Sequence, residues 1–284
     1  MIPASFQYHK PGSVAEAADL LSKHGSNAKI LAGGHSLIPM MKLRLAQPEI
    51  LIDLGAIDTM SYIENRDGGQ AIGGMTTYAE IASSGMVPQA LSEAAGQVAD
   101  VQVRNRGTIG GSLAHNDPAA DLPAVVVALD GQIITSSTNE HRSVLATDFF
   151  QDLFTTDLAE SEIISEIFIP GQAQGSGSAY LKFANKASHF AIVGVAASVT
   201  LSEGRCVAAS IGITGAGPTA YKAKLVEENL VGTNLDHNAV NSASEKASDG
   251  IDMNDDIHAS ADYRAHLAKV FTARAVRLAA DRAD

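Results

Sequence analysis

The chain has 284 residues, a formal net charge of −12 and 45% hydrophobic content, enough for two or three units around a real core. The negative charge argues against a nucleic-acid partner or an anionic membrane surface, because both would repel it. Its single cysteine, Cys206, excludes an internal disulfide and an iron–sulfur cluster held by this chain alone, since such a cluster needs about four thiolates.

Residue spacing and composition also predict the cellular compartment and the absence of a metal site. The nine histidines have no spacing typical of a metal site, so we predict no bound metal. The N-terminal residues lack the basic and apolar regions of a signal peptide. The apolar runs at 122–129 and 191–199 are far shorter than the ~20 residues that cross a bilayer. We therefore expect a cytoplasmic protein without a transmembrane segment, in a reducing compartment.

Residues 1–56 are predicted to form a small βαβ unit. The capping-box pattern Ser13-x-x-Glu16 opens its helix, and Gly25 ends it. The predicted elements are a strand at 6–8, a helix from Ser13 to about His24, and strands at 29–31 and 49–54.

The second of these strands leads into a glycine pair, Ala32-Gly-Gly-His-Ser36. A backbone without Cβ atoms can approach a phosphate closely, and its N–H groups can surround an anion. A single Gly-Gly pair more often marks a tight turn, so this pair by itself does not identify a ligand.

Residues 57–172 are predicted to form a second unit. We place a turn at 65–69 between its first two strands, and Thr76–Thr77 as the cap of its first helix. The predicted elements are strands at 61–64 and 70–73, helices at 77–83, 90–100 and 122–129, a strand at 132–136, a short helix at 148–153 and a strand at 162–170.

A second glycine pair lies within this unit, in Thr108-Ile-Gly-Gly-Ser112. We predict a loop that forms an anion nest, with hydroxyl donors from Thr108 and Ser112 and positive charge from Arg104 and Arg106. Asp121 is then the expected N-cap of the following helix. Two such loops indicate one ligand clamped through its diphosphate, although neither matches the Rossmann or P-loop motif.

Residues 176–284 are predicted to form a C-terminal α+β unit, because three strands are followed by three helices. The Gly- and Ser-rich stretch 171–178 is either an interdomain linker or a flexible hairpin within one domain. The predicted elements are strands at 179–184, 191–201 and 207–215 and helices at 219–230, 236–247 and 261–280.

The two glycine-pair segments together, with the first continuing into 37–45, resemble the FAD-binding medium subunit of molybdenum hydroxylases. This is the carbon monoxide dehydrogenase medium subunit and xanthine dehydrogenase FAD-subunit family. The resemblance covers essentially the whole chain, as far as Tyr263-Arg264. It implies an α+β fold: a two-part FAD-binding domain of the vanillyl-alcohol-oxidase/PCMH type, then a C-terminal three-stranded antiparallel sheet with helices.

The resemblance also implies noncovalent FAD with its diphosphate over both glycine pairs. Related flavoproteins attach flavin to a histidine, but the family pattern implies that His35 only lines the cofactor. We predict no catalytic residue and no metal ligand in this chain. The predicted cofactor-binding residues are Lys29, Ala32, Gly33, Gly34, His35, Ser36, Leu37, Thr108, Ile109, Gly110, Gly111, Ser112, Asn116, Asp117, Asp121, Ile164, Lys182 and Phe190.

Several of these positions have two interpretations. Lys29 either balances the diphosphate charge or is a solvated strand-edge lysine. Asp121 either accepts hydrogen bonds from sugar or ribityl hydroxyls or caps a helix, or does both. Asn116 and Asp117 either reach the flavin side or form the turn before Pro118.

The C-terminal positions are similarly open. Ile164 and Lys182 match residues near the flavin in relatives, where a cation would favour the reduced, anionic ring. Lys182 is otherwise an exposed strand residue. Phe190 lies beside the isoalloxazine or packs in the core. His189 stands where the family usually has an aspartate, which puts in doubt any hydrogen bond made by that aspartate.

The resemblance implies an electron-carrying subunit of a heterotrimer that is itself paired. Electrons would come from an iron–sulfur small subunit with 2Fe–2S clusters, with the molybdenum cofactor in a large subunit. They would leave to an external acceptor, either in the cytoplasm or at the inner face of the membrane. The alternatives are a stand-alone FAD-dependent reductase and a non-redox nucleotide-binding scaffold.

Overall fold

The N-terminal unit is a three-stranded parallel sheet with helices, as the βαβ prediction requires. The computed structural model describes residues 2–66, 68–138 and 140–283. The elements of this unit are β1 Gln7–His9, α1 Val14–His24, β2 Ala28–Leu31, α2 Leu37–Lys42 and β3 Ile50–Asp53. The strand order is β1-β3-β2, with parallel pairing throughout, so β2 is an edge strand.

The start and end of α1 follow the predicted signals. The Ser13 hydroxyl accepts a hydrogen bond from the Glu16 N–H, and Gly25 ends the helix at a φ of 51°. The Glu16 carboxylate accepts from the Gly12 N–H, so the capping box is only half formed. Helix α2 was not predicted, because Pro39 lies in its first turn and Ser36 makes no side-chain cap bond.

The middle unit contains a five-stranded antiparallel sheet flanked by helices. Its elements are β4 Ile63–Arg66, β5 Gly69–Gly73, α3 Tyr78–Ser83, α4 Gln89–Gln97, α5 Val101–Arg104, α6 Ile109–His115, α7 Asp121–Ala128, β6 Gln132–Ser136, β7 His141–Leu145, α8 Ala146–Phe149, β8 Phe150–Asp152, β9 Thr155–Thr156 and β10 Ile163–Pro170. The sheet order is β4-β5-β10-β6-β7. Of the turn predicted at 65–69, Asp67 lies outside the described residues.

Two predictions in this unit were incomplete. The helix expected at 148–153 is α8 followed at once by β8, because Phe149 and Phe150 are both buried and a short apolar run does not distinguish helix from strand. Strand β7 was missed since only Val144 of its five residues is buried, which leaves no apolar alternation to detect. The capping box at Thr77 and Glu80 is complete.

The C-terminal unit is an antiparallel sheet covered by helices. Its elements are β11 Ser176–Ala184, β12 Ala191–Ser202, β13 Arg205–Thr214, β14 Tyr221–Lys222, α9 Lys224–Leu230, α10 His237–Ser244 and α11 Ala261–Ala280. The sheet has four strands in the order β11-β12-β13-β14, not three as predicted. Residues 221–222, which were assigned to a helix, pair with β13, and the Tyr221 hydroxyl donates to the Ala247 carbonyl.

Helix α7 is the element that joins the middle unit to the C-terminal sheet. All eight of its residues are buried, which explains why the seven residues that follow Asp121 in this helix are all apolar. A Cβ built on Gly212 of β13 would lie 2.0 Å from the Ala124 carbonyl oxygen, so the helix rests directly on the sheet backbone. Among the helices formed by the described residues, none has the length and apolar composition needed to cross a membrane.

Candidate functional site

The first glycine pair forms the turn between β2 and α2. Gly34 has a φ of +76°, and a Cβ built on it would lie 2.7 Å from Ile38 Cδ1. Glycine adopts this left-handed conformation at little cost, whereas other residues are strained there. Gly34 is therefore favoured mainly by its backbone conformation, because the tip of the Ile38 side chain could move aside.

This turn offers a series of backbone donors. The N–H groups of Gly33, Gly34, His35 and Ser36 have no hydrogen-bond acceptor among the described residues, and His35 and Ser36 are exposed. The His35 Nδ1 lies 3.0 Å from the Gly33 carbonyl oxygen. Consecutive free N–H groups around a left-handed glycine are the arrangement typical of an anion nest, and anion binding at this turn stays a prediction.

The second glycine pair lies in the first turn of a helix, so the prediction of a loop was wrong. Thr108 is the N-cap of α6, and its hydroxyl accepts from the Gly111 N–H at 3.2 Å. The sequence signal was ambiguous, because a glycine pair is typical of loops, yet Thr108 three residues before Gly111 is also a helix-start signal.

The N–H groups of this second segment are already bonded within the protein. Ile109 N–H donates to Thr76 O at 3.0 Å, and Gly110 N–H donates to Gly74 O at 2.9 Å. The Ser112 N–H donates to the Thr108 carbonyl at 3.0 Å. The expected second nest is therefore not formed, and the segment offers its hydroxyl groups instead.

The two segments nevertheless meet. A Cβ built on Gly33 would lie 2.2 Å from the carbonyl oxygen of Arg106 and 2.7 Å from the α-carbon of Gly107. A Cβ built on Gly111 would lie 3.5 Å from the Ala32 Cβ. The convergence that the two motifs predicted is thus present, and it is a backbone-to-backbone contact.

A third glycine pair, which the sequence analysis overlooked, supports this junction. A Cβ built on Gly110 would lie 2.6 Å from the Gly74 carbonyl oxygen, and one on Gly74 would lie 2.3 Å from the Ile164 carbonyl oxygen. Ile164 is buried in β10. Its carbonyl lies against Gly74, and Gly74 lies against Gly110, so Ile164 is connected to the site through that glycine. The pair Gly73-Gly74 is the sequence signal that could have indicated this contact.

Of the three cationic side chains predicted near this junction, one is used within the protein and two are exposed. Arg104 donates to the carbonyl oxygens of Val98 and Ala99 at 2.9 Å, so its guanidinium is used structurally. Arg106 is exposed, and Lys29 is exposed on the edge strand β2. Both are available to an anion, and the interpretation of Lys29 as a solvated strand-edge lysine also fits its position.

Tyr78 closes the back of the site. It is 9% exposed, and a Cβ built on Gly107 would lie 2.4 Å from its ring. Burial raises the pKa of Tyr78 to about 12, against a smaller lowering by its hydrogen bond with Ser112. The phenol therefore stays protonated and remains a hydrogen-bond donor at neutral pH.

Asp121 is not the helix cap that we predicted. Ala120 is the N-cap of α7 and Asp121 is its first residue. The carboxylate accepts from the Tyr180 hydroxyl and from Lys182 Nζ at 3.0 Å. Burial raises the pKa of the Asp121 carboxyl, while Lys182 and Tyr180 act in the opposite direction. This side chain is 5% exposed, so a sugar hydroxyl would have to compete with two existing donors.

Lys182 is not the exposed strand residue of the alternative interpretation. Its side chain is 4% exposed. The ammonium donates to Gln97 O at 2.8 Å, to Asp121 Oδ2 at 3.0 Å and to His189 O at 2.7 Å. An ammonium has three protons, so a hydrogen bond from Lys182 to a flavin would require one of these bonds to break.

Asn116 forms the turn at the end of α6, in the left-handed conformation. It is fully buried. Its amide donates to the carbonyl oxygens of Asp152 and Thr155 at 2.8 Å and accepts from the Thr219 hydroxyl at 2.9 Å. These bonds support the turn-forming interpretation for this residue.

Asp117 and Phe190 line one cavity of about 180 Å³. Phe190 is 50% exposed, so the core-packing interpretation was wrong. Asp117 Oδ1 accepts from the Ala119 N–H at 2.8 Å, so one of its two carboxylate oxygens is used in the turn. The structure therefore brings together an aromatic face and a carboxylate that the sequence analysis had placed near one end of the cofactor.

His189, where the family usually has an aspartate, has a φ of +60°. Asn, Asp and His are the residues other than glycine that adopt this conformation most often. The position therefore demands a backbone shape that both residue types tolerate, and the exposed imidazole need not replace a side-chain hydrogen bond.

The residues present fit a phosphate-bearing dinucleotide. One turn supplies free N–H groups, the adjoining helix start supplies hydroxyls, and the glycines let the two backbone segments approach each other closely. Within the described part of the chain, no group of three or more His, Cys, Asp or Glu side chains is placed to hold a metal ion.

Comparison with known proteins gives the same picture over the whole chain. Residues 4–172 match the family model described as FAD binding domain in molybdopterin dehydrogenase, and residues 178–279 match that of the CO dehydrogenase flavoprotein C-terminal domain. The chain is 40% identical to the carbon monoxide dehydrogenase medium chain of Hydrogenophaga pseudoflava over 98% of both chains. It is 37% identical to the 6-hydroxypseudooxynicotine dehydrogenase complex subunit alpha of Paenarthrobacter nicotinovorans, covering 100% of this chain and 97% of the relative.

The solved structures agree. A chain in the structure of carbon monoxide dehydrogenase from Hydrogenophaga pseudoflava, in the form that lacks the Mo-pyranopterin moiety of its molybdenum cofactor, superimposes with a TM-score of 0.96. It is 41% identical to this chain, and the match covers 100% of both.

Proposed function

This chain belongs to the family of FAD-binding medium subunits of molybdenum hydroxylases, and on that basis we propose that it passes electrons from an iron–sulfur partner subunit to an external acceptor. The chain is an oxidoreductase subunit with FAD as its cofactor. Bound flavin supplies the redox chemistry, because it can take up electrons singly and release them in pairs. The protein's own tasks are to bind, orient and shield it.

The contact of Gly33 with Arg106 and Gly107 is the observation that supports the proposal most strongly. It brings the free N–H groups of the first turn beside Thr108 and the start of α6. A diphosphate has several oxygens that can accept from both sides at once. We assign Gly33, Gly34, His35 and Ser36 to one side of it.

We assign the other side of the diphosphate to hydroxyl groups at the start of α6. Thr108 is the N-cap of α6 and Ser112 lies in its first turn, and Arg106, two residues before Thr108, is exposed. The remaining backbone residues of the two segments, Ala32, Leu37, Ile109, Gly110 and Gly111, would shape the cradle through close packing. Lys29 would add positive charge from the edge of the sheet.

We place the isoalloxazine end of the cofactor towards Phe190 and Asp117. Phe190 exposes half of its surface beside a cavity that Asp117 also lines. An aromatic face stacks on a planar ring with little loss of conformational entropy. Ile164 would complete this arrangement from β10, and Asp121 would accept from a ribityl or ribose hydroxyl.

The hydroxylated substrate is set outside this chain. Two relatives of similar identity, 40% and 37%, carry names that refer to carbon monoxide and to 6-hydroxypseudooxynicotine. Those molecules share neither size nor polarity, so one chain architecture serves chemically unlike substrates. We therefore propose a large molybdenum subunit that holds the substrate and a small 2Fe–2S subunit that delivers electrons here, in a paired heterotrimer.

The direct test is FAD uptake by the purified chain. We expect stoichiometric noncovalent FAD, released intact on denaturation. Saturation at ~100 times Kd should add about 2.7 kcal/mol to the free energy of unfolding. A correctly folded chain that takes up no FAD would contradict the proposal and favour a nucleotide-binding scaffold.

A second test addresses the partners. A tagged chain purified from its natural cells should bring down a larger chain that contains molybdenum and a smaller chain that contains iron. A yellow chain that reduces a small substrate without any partner would instead favour the stand-alone reductase.

A further inference from the structure

The loop between β11 and β12, residues 185–190, carries Phe190 at its end. Asn185 closes the loop: its Oδ1 accepts from the N–H groups of Ala187 and Ser188 at 2.8 and 3.2 Å. The His189 N–H donates to Asn185 O at 2.9 Å. Residues 186–190 are all exposed. The loop therefore holds its own shape, but its placement on the protein depends on a few contacts.

Besides the pairing of β11 with β12 at its base, three hydrogen-bond contacts among the described residues tie this loop and its flanks to the rest of the chain. The Ala191 N–H donates to Ala119 O at 3.2 Å, just after the loop. Asn185 Nδ2 lies 3.2 Å from His258 Nδ1 in an exposed contact at its beginning. The third is the bond from Lys182 Nζ to His189 O at 2.7 Å, and it acts on the residue next to Phe190.

Lys182 is anchored independently of the loop. Its other two protons go to Gln97 O at the end of α4 and to Asp121 Oδ2 at the start of α7. Asp121 is held in turn by the Tyr180 hydroxyl. A buried ion pair of this kind fixes its members in space, because leaving either charge unpaired is costly.

The bond to His189 also compensates for a strained backbone. His189 has a φ of +60°, a left-handed conformation that is uncommon for residues other than glycine, although histidine adopts it more often than most. The ammonium favours this conformation by fixing the direction of the His189 carbonyl, and the bond from the His189 N–H to Asn185 O acts with it. If the lysine were removed, the loop would lose the contact that favours this conformation.

We propose that Lys182 is a positioning residue, which holds the loop 185–190 and hence Phe190 beside the flavin instead of bonding the flavin itself. The inference rests on the proposed function only for the presence of FAD and for the location of its ring near Phe190. Lys182 acts through the carbonyl of His189, because all three of its protons are already used and Asp121 balances its charge.

The first experiment measures the loop without reference to FAD. Lys182→Met should raise hydrogen exchange across 185–190 by ~10-fold or more, since a locally unfolding segment exchanges in proportion to its open population. Lys222→Met is the matched control. Lys222 bonds to Asp130, so that variant also removes an ion pair between the C-terminal sheet and the end of α7, but it leaves the loop untouched. Unchanged exchange in Lys182→Met would overturn the inference.

The second experiment measures the flavin. In FAD-loaded protein, Phe190→Ala should increase quenching of flavin fluorescence by iodide, and Lys182→Met should do the same while FAD remains bound. The double variant should show no more quenching than Phe190→Ala alone, because both changes remove the same barrier, which is the Phe190 ring beside the flavin. Additive effects, or no effect of Phe190→Ala, would overturn the inference while FAD uptake still stood.

A folding control keeps the result decisive. Lys182→Met leaves a buried carboxylate without its cation, which is strongly destabilising. Asp121→Asn with Lys182→Met removes both charges and should restore folding without restoring the bond to His189. Raised exchange at 185–190 in this folded double variant supports the inference, and wild-type exchange there overturns it. Failure of wild-type protein to take up FAD would remove the proposed function, whereas the exchange experiment would still decide the role of Lys182.

Discussion

The α-carbon of Gly33 lies against the carbonyl of Arg106, where an added Cβ would be only 2.2 Å from the oxygen. Two segments more than seventy residues apart in the chain thus touch through backbone atoms alone. Because no side chain lies between them, their separation is fixed by the absence of a Cβ. This contact places the free N–H groups of one segment beside the hydroxyl groups of the other.

Gly33→Ala should therefore damage both stability and FAD binding. The methyl group would force the two segments apart, and overpacking of this kind costs about 1–3 kcal/mol. We expect FAD affinity to fall by ~10-fold or more, since about 1.4 kcal/mol corresponds to a factor of ten. FAD titration and urea unfolding measure the two effects.

Gly85→Ala is the control for that substitution. A Cβ built on Gly85 meets no atom within 4 Å, so the same methyl group is accommodated there. Equal FAD affinity in the two variants would show that the close approach at Gly33 does not position the cofactor.

Thr108→Val should weaken the start of α6. The Thr108 hydroxyl accepts from the Gly111 N–H at 3.2 Å, and valine keeps the shape but not the acceptor. Losing an N-cap typically costs ~1 kcal/mol, measurable by chemical denaturation. Thr108→Ser keeps the hydroxyl and should stay near the wild type. If serine were as destabilising as valine, the methyl group of Thr108 would be the important part.

Arg264→Met should strongly destabilise the C-terminal unit. Arg264 is only 4% exposed, and its guanidinium donates to Ile192 O, to Gly215 O and to Asp256. The variant would leave the Ile192 and Gly215 carbonyl oxygens without their charged donor, at roughly 1–3 kcal/mol for each buried acceptor left unsatisfied, whereas Asp256 is 44% exposed and can be solvated. Arg274→Met changes an exposed residue of the same helix and should alter the free energy of unfolding by less than about 0.5 kcal/mol. Similar losses in the two variants would refute this role for Arg264.

Glu162 should make stability depend on acidic pH. The Arg142 guanidinium beside it, with the N–H of Ala159 and the Thr135 hydroxyl, holds the pKa of its carboxyl below the ordinary 4.5. The folded state therefore binds the proton less readily than the unfolded state. The stabilisation is present above pH 4.5 and is lost as the pH falls through the lower, folded pKa.

Urea unfolding between pH 7 and pH 3 tests this linkage. Glu162→Gln should lose stability at neutral pH and should show a shallower decline on acidification than the wild type. Glu228→Gln, at an exposed position, should keep the wild-type profile. A Glu162→Gln profile parallel to that of the wild type would mean that this carboxyl is not the source of the dependence.

Local patterns were sufficient for most of the elements. Ser13, Thr77 and Gly25 mark helix ends with chemistry that acts within one turn, so their neighbours in sequence are also their neighbours in space. The apolar run of α7 likewise predicted a buried element from residues that are close together in the sequence. Local patterns gave the wrong element at Tyr221 and Lys222, where pairing with a distant strand decided the conformation. They also gave the wrong element at Gly110 and Gly111, which we predicted as a loop but which lie in the first turn of a helix capped by Thr108.

The amino-acid sequence by itself determined that the two glycine-pair segments can approach each other closely, because glycine has no Cβ in any fold. It also determined the family, since two glycine motifs at this spacing carry the resemblance. Only the tertiary structure decided which N–H groups remain free and which charges are already paired. Lys182 illustrates the difference: its ammonium has the same chemistry in any sequence, but only the fold brings the Gln97 and His189 carbonyl oxygens and the Asp121 carboxylate to it.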